Sequence, residues 1–224
     1  MEKRPLNKTY EMSLLLGYFI FSILLNSLGN ALTVSLNLGS ALWTAAAVNV
    51  SHALTIQLGL ILFVEGILVI LLNLILVGRI SFKRIIGNLL FMVSFSYLIG
   101  EISEKLIFLG IDNLNLPLRV LLDCVGIVLI STAISIYQRV NLIMHPCDDL
   151  MQILRFKFFK GNPSIAQLVS FIPPIIAIIF AMVITGKIYA INIGTLFALF
   201  FQGALVGVAD RTVFPTLKHH NLEV

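Results

Sequence analysis

Six times along this chain an apolar run continues for about 18 residues or more, long enough as a helix to cross a hydrocarbon core of ~30 Å. Lipid offers no partner to backbone N–H and C=O groups, so such runs must bond internally as helices. The alternating pattern of a membrane β-barrel is absent. Hydrophobic residues make up 58% of the chain and charged residues 12%, against about 25% charged in a soluble domain. The expected fold is an all-α polytopic membrane protein in a lipid bilayer. Its runs cover about 14–36, 58–77, 82–100, 118–137, 165–184 and 188–208. The first is too long for a signal-peptide core and no small-residue cleavage site closes it, so it is expected as a retained span.

Two polar stretches interrupt this plan. Asn37 to Thr44 comes after the first span, and Asn141-Leu142-Ile143-Met144-His145-Pro146-Cys147-Asp148-Asp149 after the fourth. Each leads into a segment too short and too polar to span, running to about Leu54 and about Lys160. Both read as broken or re-entrant helices buried in protein, with Ser40 placed to cap the first. The residues beyond the two stretches also match. Gly78 and Gly186 each end an apolar run, Gly87-Asn88 corresponds to Gly194-Thr195, and the spacing from Gly87 to Gly100 equals that from Gly194 to Gly207. The chain therefore reads as one membrane domain, 14–209, made of two copies at about 14–110 and 116–209. Polar tails 1–13 and 210–224 flank it. A copy with three full spans enters the membrane upside down the second time, giving a two-fold inverted repeat, the plan of many secondary transporters.

The net charge of +4 reads as orientation, not as nucleic-acid binding. With six spans and both short units returning to the side they left, Lys3, Arg4, Lys8, Arg79, Lys83, Arg84, Arg139, Arg155, Lys157, Lys160, Arg211 and Lys218 fall on one side. Only Lys105, Arg119 and Lys187 fall on the other. The basic side is the cytoplasmic one, so both termini are expected there. Cys124 and Cys147 suggest no disulfide framework. No HExxH motif, Cys/His cluster, phosphate-binding loop or Ser/His arrangement appears, so no metal, no cofactor and no enzyme activity is expected.

The turn residues carry a resemblance. Leu42-Trp43-Thr44 and Pro146-Cys147-Asp148, with Gly87-Asn88 and Gly194-Thr195 after them, are similar to the Gly-x-x-Pro-Trp-like turns and Gly-Thr-like pairs of the YczE/YyaS/YitT-type family of small bacterial integral membrane proteins. The first copy keeps the tryptophan and lacks the proline. The second keeps the proline and aspartate and lacks the tryptophan, and Asn88 departs from the pair. The resemblance implies a bacterial inner-membrane location and a transport-like role, and names no substrate.

Among individual residues, Glu65 stands seven positions into a span. An acid at that depth needs a partner, a proton or a wet cavity. It reads either as a coupling-ion or substrate contact, or as a structural acid, paired with Arg119 or Lys105 or protonated and hydrogen-bonded across helices. Asp123 has Arg119 four residues earlier on the same helix face, and pairing between them is the expected role. Asp148 and Asp149 open the second short helix, where either serves as an N-cap or Asp148 faces a cavity. His145 beside them is a candidate to titrate near neutral pH. Trp43 reads as a stacking surface or an interfacial anchor. Thr44, Asn88, Thr195 and Gln202 are candidate polar lining or helix–helix contacts. Gly39, Gly87 and Gly194 are motif glycines that read as close-packing positions, and Pro146 is the motif proline of the second turn. The leading expectation is a small secondary-transporter-like protein for a small molecule or ion. The alternative is a non-transporting component that supports a partner complex. A homodimer or a partner membrane protein fits either.

Overall fold

The computed structural model describes residues 8–39 and 41–219, with side chains from Met12 onward. Nine helices account for most of these residues: α1 (Lys8–Leu36), α2 (Leu42–Leu54), α3 (Leu58–Val77), α4 (Phe82–Phe108), α5 (Leu116–Val140), α6 (Pro146–Ile153), α7 (Pro163–Ser170), α8 (Ile172–Thr185) and α9 (Ile193–Thr212). A 3₁₀ turn joins α4 to α5, and a widened π turn (Leu154–Phe158) continues α6. Six units, α1, α3, α4, α5, α7–α8 and α9, are long and apolar enough to cross a membrane. The helices α2 and α6 have 13 and 8 residues, below the ~17 a crossing requires.

Local chemistry sets the ends. Asn37 after α1 and Asn141 after α5 both take the left-handed conformation, with φ near 50°, which asparagine tolerates better than most residues. Gly78 and Gly186 close α3 and α8 in the same conformation. Pro173 and Pro174 lack the N–H groups that would bond back to Val169 and Ser170, and the fifth span breaks at Phe171 into α7 and α8, as the Pro-Pro pair predicts. Two boundaries differ from expectation. The helix α4 runs on to Phe108, beyond the expected end at Gly100, because Glu101, Glu104 and Lys105 lie on its exposed face while Ser103 is buried against Ala31 and Ser35. The last span begins at Ile193, later than expected, after a loop capped by Asn192.

The central pair is α1 and α5, with α4 packed on α1 and α9 on α5. Their backbones nearly touch at Gly29 and Gly126: a Cβ on Gly29 would sit 2.7 Å from the Gly126 carbonyl oxygen. The polar second half of α1 faces this interior, as its sequence predicts. Asn26, Ser27, Thr33 and Ser35 are buried, and Ser35 donates to the Ala31 carbonyl. Outside this core, α2 packs on α8 and α6 on α3. The surface is apolar throughout the spans, with Leu68, Ile75, Val93, Val183 and Phe200 all exposed, the inverse of a water-soluble protein.

Contacts sort the ends of the bundle. At one end, Lys157 donates to the Val77 carbonyl, Arg84 pairs with Asp149 and Arg139 donates to the Phe214 carbonyl; this is the basic end. At the other, Arg119 donates to the Leu36 carbonyl and the Gly194 N–H to that of Leu38. The expected Ser40 cap lies outside the described residues, as do Lys3, Arg4 and the side chain of Lys8. The N-cap of α2 is Ala41, which makes no side-chain cap bond. Beyond α9 the chain folds back on the bundle, with the Phe214 ring 4.8 Å from that of Tyr18 and Leu217 buried.

Candidate functional site

A pocket of about 320 Å³ opens at the basic end, between the start of α4 and the stretch that precedes α6. Ser81, Lys83, Arg84, Gly87 and Asn88 form one wall, and Asn141 to Met144 with Asp149 form the other. The Ser81 hydroxyl caps α4 by accepting from the Arg84 N–H. Gly87 admits the opposite wall: a Cβ there would fall 2.7 Å from Ile143 Cγ2. At the floor, Arg84 Nε stands 3.0 Å from Asp149 Oδ2, and Asn88 Nδ2 donates to the same oxygen at 3.3 Å. Asp149 is fully buried and its Oδ1 has no hydrogen-bond partner among the described residues. Burial pushes its carboxyl up from the ordinary range, while Arg84 and Asn88 pull it down.

Behind that wall α6 is tied to its neighbours. The Tyr137 hydroxyl donates to Asp148 Oδ2 at 2.5 Å, Gln138 donates to the Asp148 carbonyl, and Asn73 of α3 donates to the Pro146 carbonyl. The N-cap of α6 is neither aspartate. It is His145, whose Nδ1 accepts from the Cys147 N–H at 3.4 Å, with Pro146 at the first helical position. The His145 ring packs against Phe91 and Phe95. That burial pushes its pKa down to about 4, so the expected titration near neutral pH gives way to a neutral imidazole. Asp148 is raised to about 6 by burial, with the Tyr137 hydroxyl opposing.

A second, far smaller cavity lies at the opposite end. Thr33, Gly39, Ala41, Asp123, Gly194 and Gln202 line it with three apolar neighbours, and its volume is about 10 Å³. Here the expected Arg119–Asp123 pair does not form. The Arg119 guanidinium reaches away to the Leu36 and Asn37 carbonyls, capping the C-terminus of α1. Asp123 instead lies against Gly194, where any Cβ would collide with its carboxylate. Glu65, for which pairing with Arg119 or Lys105 was one of the readings, pairs with neither; it lies close enough to Cys147 that its charge, after burial, helps push that thiol up.

The residues singled out in the sequence thus fall into three places. Gly87 and Asn88 line the pocket, with His145, Pro146 and Asp148 directly behind it. Gly39, Gly194 and Thr195 come together at the other end, where the Thr195 hydroxyl donates to the Ala190 carbonyl. Trp43 packs against the cluster of Val69, Cys147 and Leu150. Thr44 is half-buried beside it. Neither of the two cavities includes Glu65 or Trp43. Sequence reasoning missed the part played by Lys83 and Arg84, whose positions read only as orientation charges. It also missed the joining of Arg139 and Arg155 by Asp210. Asp210 lies 55 positions from Arg155 and 71 from Arg139, beyond any local spacing signal.

Six helices long and apolar enough to cross a membrane make this a multi-pass membrane protein. Residues 15–211 match the model of a family of unknown function, DUF6198, and the chain belongs to that family. No curated protein and no solved structure matches it. These findings do not bear on the YczE/YyaS/YitT-type resemblance.

Proposed function

We propose that the protein is a small secondary-transporter-like carrier, built as two inverted copies, that opens a polar site to one side of the membrane at a time. The observation that carries this reading is the pair of cavities. Each lies where a Gly-polar pair near the start of a long helix, Gly87-Asn88 on α4 or Gly194-Thr195 on α9, meets the loop between a long helix and a short one. One is open at about 320 Å³ and the other is shut down to about 10 Å³. The packing of α2 on α8 answers that of α6 on α3, and α4 on α1 answers α9 on α5. Two near-equivalent gates in opposite states are what alternating access requires. Arg79, Lys83, Arg84, Arg155 and Lys157 gather at the open end, which supports an inward-facing state in a bacterial inner membrane with cytoplasmic termini. The solute is small and polar, since Lys83, Arg84, Asn88 and Asp149 face the space it would occupy.

Side-specific alkylation tests this. Single cysteines replace Asn88 or Thr195 in a folded background where Cys124 and Cys147 are alanine. Asn88→Cys should react only from the basic end and Thr195→Cys should be protected. Filling the pocket with Gly87→Phe should then expose Thr195→Cys and protect Asn88→Cys. If Thr195→Cys stays protected in the filled variant, the alternating reading fails and the partner-supporting role takes its place.

A further inference from the structure

We propose that the pocket at the basic end takes a small organic monocarboxylate, its head at the start of α4 and its carbon skeleton against Leu142 and Ile143. The monocarboxylate is the solute class of the carrier described above, on whose reading it rests. Charge decides the sign. The charged side chains lining the pocket are Lys83, Arg84 and Asp149, which leaves one positive charge uncompensated. Asp149 is already answered: Arg84 Nε and Asn88 Nδ2 converge on its Oδ2, at 3.0 and 3.3 Å. Its Oδ1 is sealed from solvent, so a cationic solute would meet two cations and no accessible acid. The Lys83 side chain is exposed and makes no hydrogen bond or ion pair among the described residues. The N-terminus of the 27-residue α4 adds about half a positive charge at the same wall, and no acid in its first turn offsets it. Orientation in the membrane needs cations on this side only; it does not need two of them to border one cavity.

Size and the facing wall narrow the class. A volume of about 320 Å³ stands at the lower end of ligand pockets and admits one metabolite-sized molecule. A phosphate monoester carries about 1.5 to 2 negative charges near neutral pH, more than the lining leaves uncompensated, whereas a carboxylate carries one. Across from α4, Leu142 and Ile143 are half-buried and line the space, and Gly87 lets Ile143 approach the helix closely. Positive charge on one wall and hydrocarbon on the other match an acid with a short carbon chain. An inorganic anion would leave the apolar wall in contact with water.

The test is titration calorimetry and thermal unfolding of the purified full chain at fixed pH and ionic strength, with sodium acetate, butyrate and hexanoate set against sodium phosphate and butylammonium chloride. Butyrate should bind and raise the midpoint in a saturable way. Affinity should tighten from acetate to hexanoate by roughly fourfold for each methylene the wall covers. Lys83→Glu should weaken butyrate binding by about tenfold, and Ile143→Ser should flatten the chain-length dependence while acetate still binds. Lys160→Gln, at an exposed lysine of the same end outside the pocket, should change neither. Should Ile143→Ser fail to fold, the chain-length series on wild type and Lys83→Glu decide. Phosphate binding as tightly as butyrate would overturn the proposal in favour of a general basic patch. Preference for butylammonium, or no response to any carboxylate, would overturn it outright. The alkylation pattern of Asn88→Cys and Thr195→Cys separates the two readings. Carboxylate binding absent with that pattern intact removes the solute class alone, and binding present with the pattern broken upholds the carboxylate site and removes the carrier.

Discussion

Arg84 and Asp149 join the first turn of α4 to the first turn of α6 through a 3.0 Å ion pair, so the floor of the pocket is a contact between the two halves of the chain. Asp149 is wholly buried, whereas the Arg84 side chain keeps 15% of its exposure. Removing the cation strands a buried carboxylate; removing both members does not. Arg84→Ala should therefore cost about 3 kcal/mol, the low end for a broken buried pair because Arg84 is partly wet. The double variant Arg84→Met with Asp149→Leu should recover most of that loss. Thermal unfolding of the four proteins in one detergent measures the cycle, and equal losses in the single and double variants would rule the pair out as a determinant of stability.

His145 and Asp148 give the stability profile two opposed acid limbs. For His145, held near 4 when folded against about 6.5 when unfolded, stability is lost as pH falls from 6.5 toward 4, because the unfolded chain binds the extra proton. For Asp148, held near 6 against about 3.9 unfolded, stability is gained as pH falls through 6. Between pH 7.5 and 5 the two terms nearly cancel, at roughly 2 kcal/mol lost and 1.5 gained. His145→Gln should make the protein relatively more stable at pH 5 than wild type is, and Asp148→Asn relatively less. Midpoints of both variants at the two pH values, each referred to wild type, test the signs.

Gly126 marks the closest approach of α1 and α5, where a Cβ would sit 2.7 Å from Thr33 Cγ2 and 3.0 Å from the Gly29 carbonyl oxygen. Neither helix can give way without loosening the central pair, so Gly126→Val should cost about 2 kcal/mol or more. Gly17 on the same α1 helix has nothing within 4 Å, and Gly17→Ala should leave the midpoint unchanged or slightly higher. A similar loss at both positions would mean that the effect lies in glycine itself and not in the crossing.

Chemistry that acts over one or two helical turns was legible in the sequence. The polar face of α1, the break at Pro173-Pro174 and the glycine stops at Gly78 and Gly186 all come from local rules, and so do the two short helices. Pairings across the fold were not legible. The i, i+4 spacing of Arg119 and Asp123 suggested a pair, yet the open carbonyls at Leu36 and Asn37 win the guanidinium, because a helix end packed beside it offers several acceptors at once. His145 sits beside two acids in sequence and beside two phenylalanines in space, and the second environment fixes its charge. The pocket wall was half visible: Gly87 and Asn88 stood out as a repeated pair, whereas Arg84 looks like one more orientation charge until Asp149 is seen opposite it.

The last such pairing holds the end of the chain. Asp210 accepts from the Ser135 hydroxyl at 2.6 Å, takes the Arg155 guanidinium on its other oxygen and lies 3.6 Å from Arg139 Nε. Arg139 in turn donates to the Phe214 and Leu217 carbonyls, so one carboxylate holds α5, the turn after α6 and the returning segment together. Asp210→Asn keeps the shape and removes the charge, leaving two guanidinium groups facing each other with only neutral acceptors. The expected result is a loss of about 3 kcal/mol and, in hydrogen exchange, amides of 213–219 that open well before those of α5. Arg211→Gln, on the exposed face of the same turn, should leave both readouts unchanged. If 213–219 keep their protection in Asp210→Asn, the segment is held by Phe214 on Tyr18 and the burial of Leu217, and the charge network is incidental to it.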